Sequence, residues 1–270
     1  MPLKITPADI EAYQIDGAVL IKGLLNDQEV SDLRKGIEAN ISNPSLNSKV
    51  ASNYDDAGWF LEDFCTWKEN LSYKRIIFQS AVSETAAKLM RSKQVRLYHD
   101  HMLVKKKGTQ QRTPWHQDQP YYNIEGYQNI SFWIPVDPVP LEWTLELVAG
   151  SHKGPWYMPR NFLESQAKWF PEGSLSEIPD IDSNPEKFRI LKWVLDPGDA
   201  VAFHMLTLHS GKGTGGLRRV FSIRMLGDDI IHSPRSWKTS PDFPGLSDYL
   251  PAGKPMDHEL FPLAWPIRRA

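Results

Sequence analysis

Cysteine is almost missing from this chain: Cys65 is the only one among 270 residues. No disulfide can therefore form within the chain, and a reducing compartment, the cytoplasm, is expected. Long apolar runs are missing too. Nothing approaches the roughly 20 consecutive apolar residues of a membrane span, and the opening Met-Pro-Leu-Lys-Ile-Thr-Pro-Ala-Asp lacks the apolar core of a secretion signal. There is no excess of one charge either: 31 Lys and Arg stand against 33 Asp and Glu, a net charge of −2, which supplies no general field for nucleic acid or an anionic membrane. An anionic partner would need a local basic site. What is present is ordinary for a globular protein, with 41% hydrophobic residues and ten Trp to bury or to offer a ligand.

The residues divide the chain into a helical front and a β body, expected to form one domain over 1–270. Thr6-Pro7 is a capping hydroxyl before a first-turn proline, so a short helix starts there and Gly17 ends it. Ala18 to Ile21 reads as a strand. Asn26-Asp27-Gln28-Glu29 starts a second helix, with Val30, Leu33 and Ile37 at helical spacing to about Ile41. A polar Asn- and Ser-rich loop follows, then one helix from Asn70 to Met90, so that 1–92 is mainly helical. From Val95 the period becomes two. Val95, Leu97, His99, His101, Leu103 and Lys105 share one face, and Arg96, Tyr98, Asp100, Met102 and Val104 the other. Further strands are expected at Trp115–Asp118, Ile130–Val136, Thr144–Ala149, Phe188–Leu195, Ala200–His209 and Arg218–Leu226, separated by Gly and Pro turns. Many short strands without intervening helices indicate a mainly β fold with flanking helices, an antiparallel sandwich or jelly roll over 93–230. Arg160 to Asn184 reads as an irregular insertion or lid, and the Pro-rich tail, 231–270, is expected to wrap the body.

Chemistry concentrates in two places. In Trp115-His116-Gln117-Asp118 an imidazole and a carboxylate stand at i and i+2, which on a strand point the same way and can hold one ion. A third ligand must come from elsewhere, and the apolar run Ala200 to Leu208 ends at His209 before a Gly-rich loop, with His204 inside it. Two imidazoles and one carboxylate suit Fe(II) and leave coordination positions open. Taken alone, a His-x-Asp pair also fits a surface strand, and either histidine fits a core position satisfied by backbone. Arg218 opens the next strand after a Gly-rich turn, and an antiparallel hairpin would return it near His209, where its fork could grip a dicarboxylate. Arg219 reads as a solvated surface arginine.

Several segments, in this order, resemble the phytanoyl-CoA dioxygenase family of Fe(II)/2-oxoglutarate oxygenases: Asp16-Gly17, Thr113-Pro114-Trp115-His116-Gln117-Asp118, Thr144 through Lys153, Pro197-Gly198-Asp199 through His209-Ser210-Gly211, and Arg218 through Arg224. The resemblance implies a double-stranded β-helix, cupin-like, with metal in its mouth. It implies His116, Asp118 and His209 as ligands to Fe(II), with His204 a neighbour, and Arg218 on the distal carboxylate of 2-oxoglutarate. By the same likeness Trp133 would lie beside the co-substrate and Lys105 at its other end, although a core Trp and an exposed Lys fit those positions as well. His152 receives no metal role. Ser210-Gly211 departs from the family's common Gly-Ser order, which leaves a serine contact to the co-substrate open, and Trp143 replaces a small residue beside the pocket. The implied reaction couples O2 and 2-oxoglutarate, released as succinate and CO2, to hydroxylation of a small-molecule substrate; Asp118 argues against halogenation, where a small residue makes room for halide. The cluster Lys105-Lys106-Lys107, with Arg96 and Arg112, would suit an anionic substrate and equally a solvated strand end, and Tyr121, Tyr122, Trp143, Trp156 and Tyr157 could line an aromatic pocket or belong to the core. A cupin-like metal isomerase and a non-catalytic binding protein on the same fold are the competing readings.

Overall fold

The computed structural model describes residues 4–52, 57–110, 112–159 and 175–266. In chain order the elements are α1 (Pro7–Asp16), β1 (Ala18–Ile21), α2 (Asp27–Ser42), β2 (Lys49–Val50), β3 (Phe60–Phe64), α3 (Leu71–Gln79), α4 (Val82–Met90), β4 (Val95–Lys105), β5 (Thr113–His116), β6 (Ile124–Glu125), β7 (Asn129–Pro135), β8 (Leu145–Val148), β9 (Ile190–Leu191), β10 (Ala200–Phe203), β11 (His209–Gly211), β12 (Arg218–Leu226), β13 (Ile231–His232), α5 (Leu246–Tyr249) and β14 (Leu263–Trp265). A large sheet runs β1-β10-β7-β12-β4-β3-β2, with β14 also on β4. A small sheet, β5-β11-β8-β9, faces it. Every ladder between these strands is antiparallel. The two sheets make the jelly roll, and helices cover the outer side of the larger one.

Local chemistry explains the front of the chain. Thr6 accepts from the Asp9 amide while the Asp9 carboxylate accepts from the Thr6 amide, closing a capping box, and Gly17 ends α1 in the left-handed region at φ 76°. Asn26 and Glu29 do the same for α2. The α2 side chains Val30, Leu33 and Ile37 join Ile76 and Ile77 of α3, Ala86 and Leu89 of α4, and the outward residues Phe132, Ile134, Phe221 and Ile223 in the main core. Leu33 and Ile37 are fully buried, worth roughly 1.5–3 kcal/mol each.

The structure departs from the sequence reading at several elements. The helix expected from Asn70 to Met90 is two: Ser80 is extended, and its hydroxyl donates to the Ile76 carbonyl at 2.6 Å, breaking the ladder. The Asn- and Ser-rich loop contains β2 and β3. Strand β4 has the expected bounds, but its alternation is interrupted. Arg224 pairs with His99 and Met225 with Leu97, so Tyr98 is an extra residue in a bulge. Val95 and Leu97 consequently face the helices with Met102 and Val104, whereas His99, His101, Leu103 and Lys105 face the interior cavity. The run Ala200–His209 is two strands in different sheets, joined by a turn in which the Thr207 amide donates to the His204 carbonyl at 2.8 Å. β11 and β12 therefore do not form a hairpin. Only Ile190–Leu191 of the expected Phe188–Leu195 strand pairs as a strand. In the tail Leu246, Leu250, Met256 and Phe261 pack with Tyr98, Tyr121 and Ile124. Of the insertion, 160–174 lies outside the described residues; beyond it Ile181 is buried and Asp182 accepts from the Trp115 indole at 3.0 Å.

Candidate metal centre

A cavity opens between the sheets, and β4, β5, β7, β11 and β12 all contribute side chains to it. At its inner end His116, Asp118 and His209 present ligand atoms that lie within 4.8 Å of one another, the one such group among the described residues. His116 ends β5 and His209 begins β11, and the two are direct cross-strand partners. Asp118 lies beyond the end of β5, so the i, i+2 strand argument does not place it. Backbone anchoring does: the amides of Asp118 and Gln119 donate to the Met205 carbonyl at 2.8 and 3.0 Å, and the Gln117 amide group donates to the Leu206 and Pro155 carbonyls.

The donor set fits a divalent ion. Nδ1 of His116 lies 2.8 Å from the Pro114 carbonyl and Nδ1 of His209 lies 2.9 Å from the Thr207 carbonyl. A carbonyl only accepts, so each ring carries its proton on Nδ1 and turns an Nε2 lone pair inward. Each Nε2 is 3.7 Å from Oδ1 of Asp118. The second carboxylate oxygen, Oδ2, is held by the Ser131 hydroxyl at 2.8 Å and Nε of Arg224 at 3.3 Å, which reserves Oδ1 for a ligand. Burial, and then His209, bring the His116 imidazole down to about 3, and burial lowers His209. Burial alone would raise the Asp118 carboxyl, but Arg224, followed by the two imidazoles, holds it below the ordinary carboxylate range. Two neutral imidazoles and an ionised carboxylate are what a 2-His-1-carboxylate iron site requires.

The remaining predicted residues meet in the same cavity. Arg218 is buried at the start of β12, its guanidinium held by the Lys212 carbonyl at 3.0 Å and by the Trp143 carbonyl. Among the described residues no carboxylate pairs with it, and burial brings it down to about 10. A buried guanidinium satisfied only by carbonyls is matched to an incoming carboxylate. Its plane lies over the Trp133 ring, 5.6 Å to the centroid, and Trp133 lines the cavity. Lys105 is buried rather than exposed: Nζ donates to the Lys212 carbonyl at 3.1 Å and sits 4.5 Å over the Phe60 ring.

His204 is outside the site, its Nδ1 accepting from the Leu206 amide at 3.0 Å and Nε2 bonded to the Tyr127 carbonyl at 2.8 Å. Arg219 is not a solvated arginine, because Asp137 and Glu38 hold it in ion pairs. Ser210 donates to the Thr113 carbonyl and accepts from Arg112, so Gly211 and not the serine reaches the cavity. Of the five aromatics Tyr121 and Tyr122 line it; Trp143, Trp156 and Tyr157 do not. The basic cluster is dispersed, with Lys106 on the Trp59 ring, Arg96 paired with Asp257 and Arg112 with Asp182. Sequence reasoning did not single out Ser131 and Arg224 as supports of Asp118. The signal for Arg224 was its place on the same β12 face as Arg218.

A family model described as phytanoyl-CoA dioxygenase (PhyH) matches residues 13–220. No curated protein matches the sequence significantly. Among solved structures, the epimerase SnoN in complex with Fe3+, alpha ketoglutarate and nogalamycin RO is 20% identical, with 96% of this chain and 100% of that chain covered and a TM-score of 0.75. The carbocyclase SnoK from nogalamycin biosynthesis is 18% identical, covering 96% of each chain, with a TM-score of 0.74. EctD from S. alaskensis with 2-oxoglutarate and 5-hydroxyectoine is 16% identical, covering 93% of this chain and 85% of that one, with a TM-score of 0.66. These likenesses show a shared jelly-roll fold, and the match over most of the sequence shows that the chain belongs to the phytanoyl-CoA dioxygenase family.

Proposed function

We propose that the protein is an Fe(II)- and 2-oxoglutarate-dependent dioxygenase that hydroxylates an aliphatic C–H bond of a small molecule. The observation that carries this reading is one cavity holding both the His116, Asp118 and His209 triad and the buried Arg218, which no carboxylate among the described residues pairs. His116, Asp118 and His209 would hold the iron. Arg218 would take the distal carboxylate of 2-oxoglutarate, with Trp133 against its carbon chain and Lys105 as a further cation beside it. When bound, iron with 2-oxoglutarate and O2 supplies the oxidising chemistry, releasing succinate and CO2. The chain's own work is orientation and exclusion of water. The Nδ1–H bonds to Pro114 and Thr207 fix both ring planes, and Leu103, Leu145, Phe203 and Val220 give the co-substrate end an apolar wall.

The aspartate in the triad supports hydroxylation over halogenation, since its carboxylate takes the place a halide would need. Epimerisation and ring closure, the activities in the names of SnoN and SnoK, use the same kind of centre and depend on where a substrate is held. The single cysteine supports a cytoplasmic setting for one catalytic unit over 1–270, and among the described residues no helix is long and apolar enough to cross a membrane. The test is anaerobic addition of Fe(II) and then 2-oxoglutarate to the purified protein. A weak visible charge-transfer band is expected, followed by succinate once air is admitted. Iron binding with no band and no succinate would favour the isomerase reading, and no metal binding at all would favour the binding protein.

A further inference from the structure

One wall of the cavity is accounted for only where Nε of Arg224 holds Asp118. Strand β4 turns His99 and His101 inward, and β12 turns Arg224 and Ser222 inward at the same two rungs, Arg224 opposite His99 and Ser222 opposite His101. The Ser222 hydroxyl is engaged by the Phe132 carbonyl at 2.7 Å. The other three groups each keep a buried nitrogen with no hydrogen-bond partner among the described residues: Nε2 of His99, Nε2 of His101 and Nη1 of Arg224. Buried polar atoms are ordinarily satisfied, so three on one wall of a cavity call for a ligand group or the water it displaces.

The character of each nitrogen limits what that group can be. Nδ1 of His99 lies 3.1 Å from the Asp100 carbonyl and so carries the proton, which leaves a lone pair on Nε2. The ring stays neutral because burial first, and Arg224 second, bring it down to about 3. Nη1 of Arg224 can only donate. An acceptor and a donor therefore stand on neighbouring strands at one rung. A carboxylate would accept from Arg224 but set its own lone pairs against His99, and the Glu62 carboxylate stands on the same wall, 3.8 Å from Nε2 of His101. An ammonium would donate to His99 but meet the Arg224 cation. A hydroxyl does both jobs at once. Phe60, Phe64, Tyr121 and Tyr122 line the same cavity and supply apolar surface suited to a carbon skeleton.

We propose that His99, His101 and Arg224 form the substrate-recognition subsite and that the substrate is an alcohol, its hydroxyl donating to Nε2 of His99 and accepting from Nη1 of Arg224. This rests on the iron and 2-oxoglutarate reading for the position of the reacting centre. It replaces the anionic substrate that the lysine cluster suggested in sequence. The test uses the full chain, loaded anaerobically with Fe(II) and 2-oxoglutarate, and three probes of one size: cyclohexanol, cyclohexylamine and cyclohexanecarboxylate, titrated by calorimetry. Cyclohexanol is expected to bind at least tenfold more tightly than the other two. His99→Leu should raise its Kd at least tenfold, and His101→Leu, a second variant should the first fail to fold, about threefold or more. Tightest binding by the amine or the acid, no binding by the alcohol, or unchanged alcohol affinity in the variants that fold would overturn the proposal. The visible band is read on the same samples: its absence would remove the iron reading, whereas its presence beside any of those results removes the alcohol subsite alone.

Discussion

His116, His204 and His209 are all buried, yet their ring nitrogens have different duties. In His116 and His209 Nδ1 meets a backbone carbonyl and Nε2 turns toward Asp118. In His204 both nitrogens are occupied by backbone, one by the Leu206 amide and the other by the Tyr127 carbonyl. The His-x4-His spacing in sequence presents two histidines and no means of choosing between them without the family likeness; the hydrogen bonds choose. Accordingly, His116→Ala and His209→Ala should each weaken Fe(II) affinity by roughly 100-fold or more, since even outer partners of a ligand matter by 10–100-fold. His204→Ala should leave binding measurable. Equal loss of iron in all three, read by equilibrium dialysis, would show that the distal ligand is misassigned.

At the scale of elements, the capped helices and the long strands were legible because their signals are local. Thr6 with Asp9 and Asn26 with Glu29 cap what they were expected to cap, and β4 and β12 have the expected bounds. What was not legible depends on distant partners. The bulge at Tyr98 reverses the faces of β4 and is visible only in its pairing with β12. The division of 200–209 between two sheets is likewise tertiary, and it puts His209 and Arg218 on opposite sheets instead of in a hairpin. Gly17 sits at the start of that arrangement. Its carbonyl accepts from the His204 amide and the Thr207 hydroxyl, each at 2.8 Å, tying the end of α1 to the turn that delivers His209. With φ at 76°, and with the His152 ring and Thr207 hydroxyl where a Cβ would go, the position has no room for a side chain. Gly17→Ala is expected to cost roughly 2 kcal/mol or more, from the left-handed backbone and the overlap together. Thermal unfolding of the metal-free protein checks this, and an unchanged Tm would mean that the tie is not needed.

Across the whole molecule the interior holds an unusual number of neutral imidazoles, and this sets how stability responds to acid. Burial is the leading cause in each case: it brings His99, His116 and His204 down to about 3 and lowers His101, His152 and His209. Below the ordinary histidine value near 6.5 the unfolded chain takes up protons that the folded chain refuses, so each such group makes stability fall with falling pH. Asp118, held low in the fold, acts in the same direction below the usual carboxylate range. Asp100 opposes them, because burial raises it to about 6 and the folded chain is the one that binds its proton between 3.8 and that value. Six imidazoles outweigh one carboxyl. The metal-free protein should therefore lose stability steadily from pH 7 to pH 5, by on the order of 2 kcal/mol at pH 5 for each of His99, His116 and His204. His204 isolates the effect, because both of its ring nitrogens meet backbone and it is not one of the three proposed ligands. In His204→Gln the slope of unfolding free energy against pH between 4 and 6 should fall by about one proton, or about 1.4 kcal/mol per pH unit, whatever the substitution does to stability at pH 7. Urea unfolding at four or five pH values measures both proteins, and parallel profiles would show that the His204 ring is already charged in the fold.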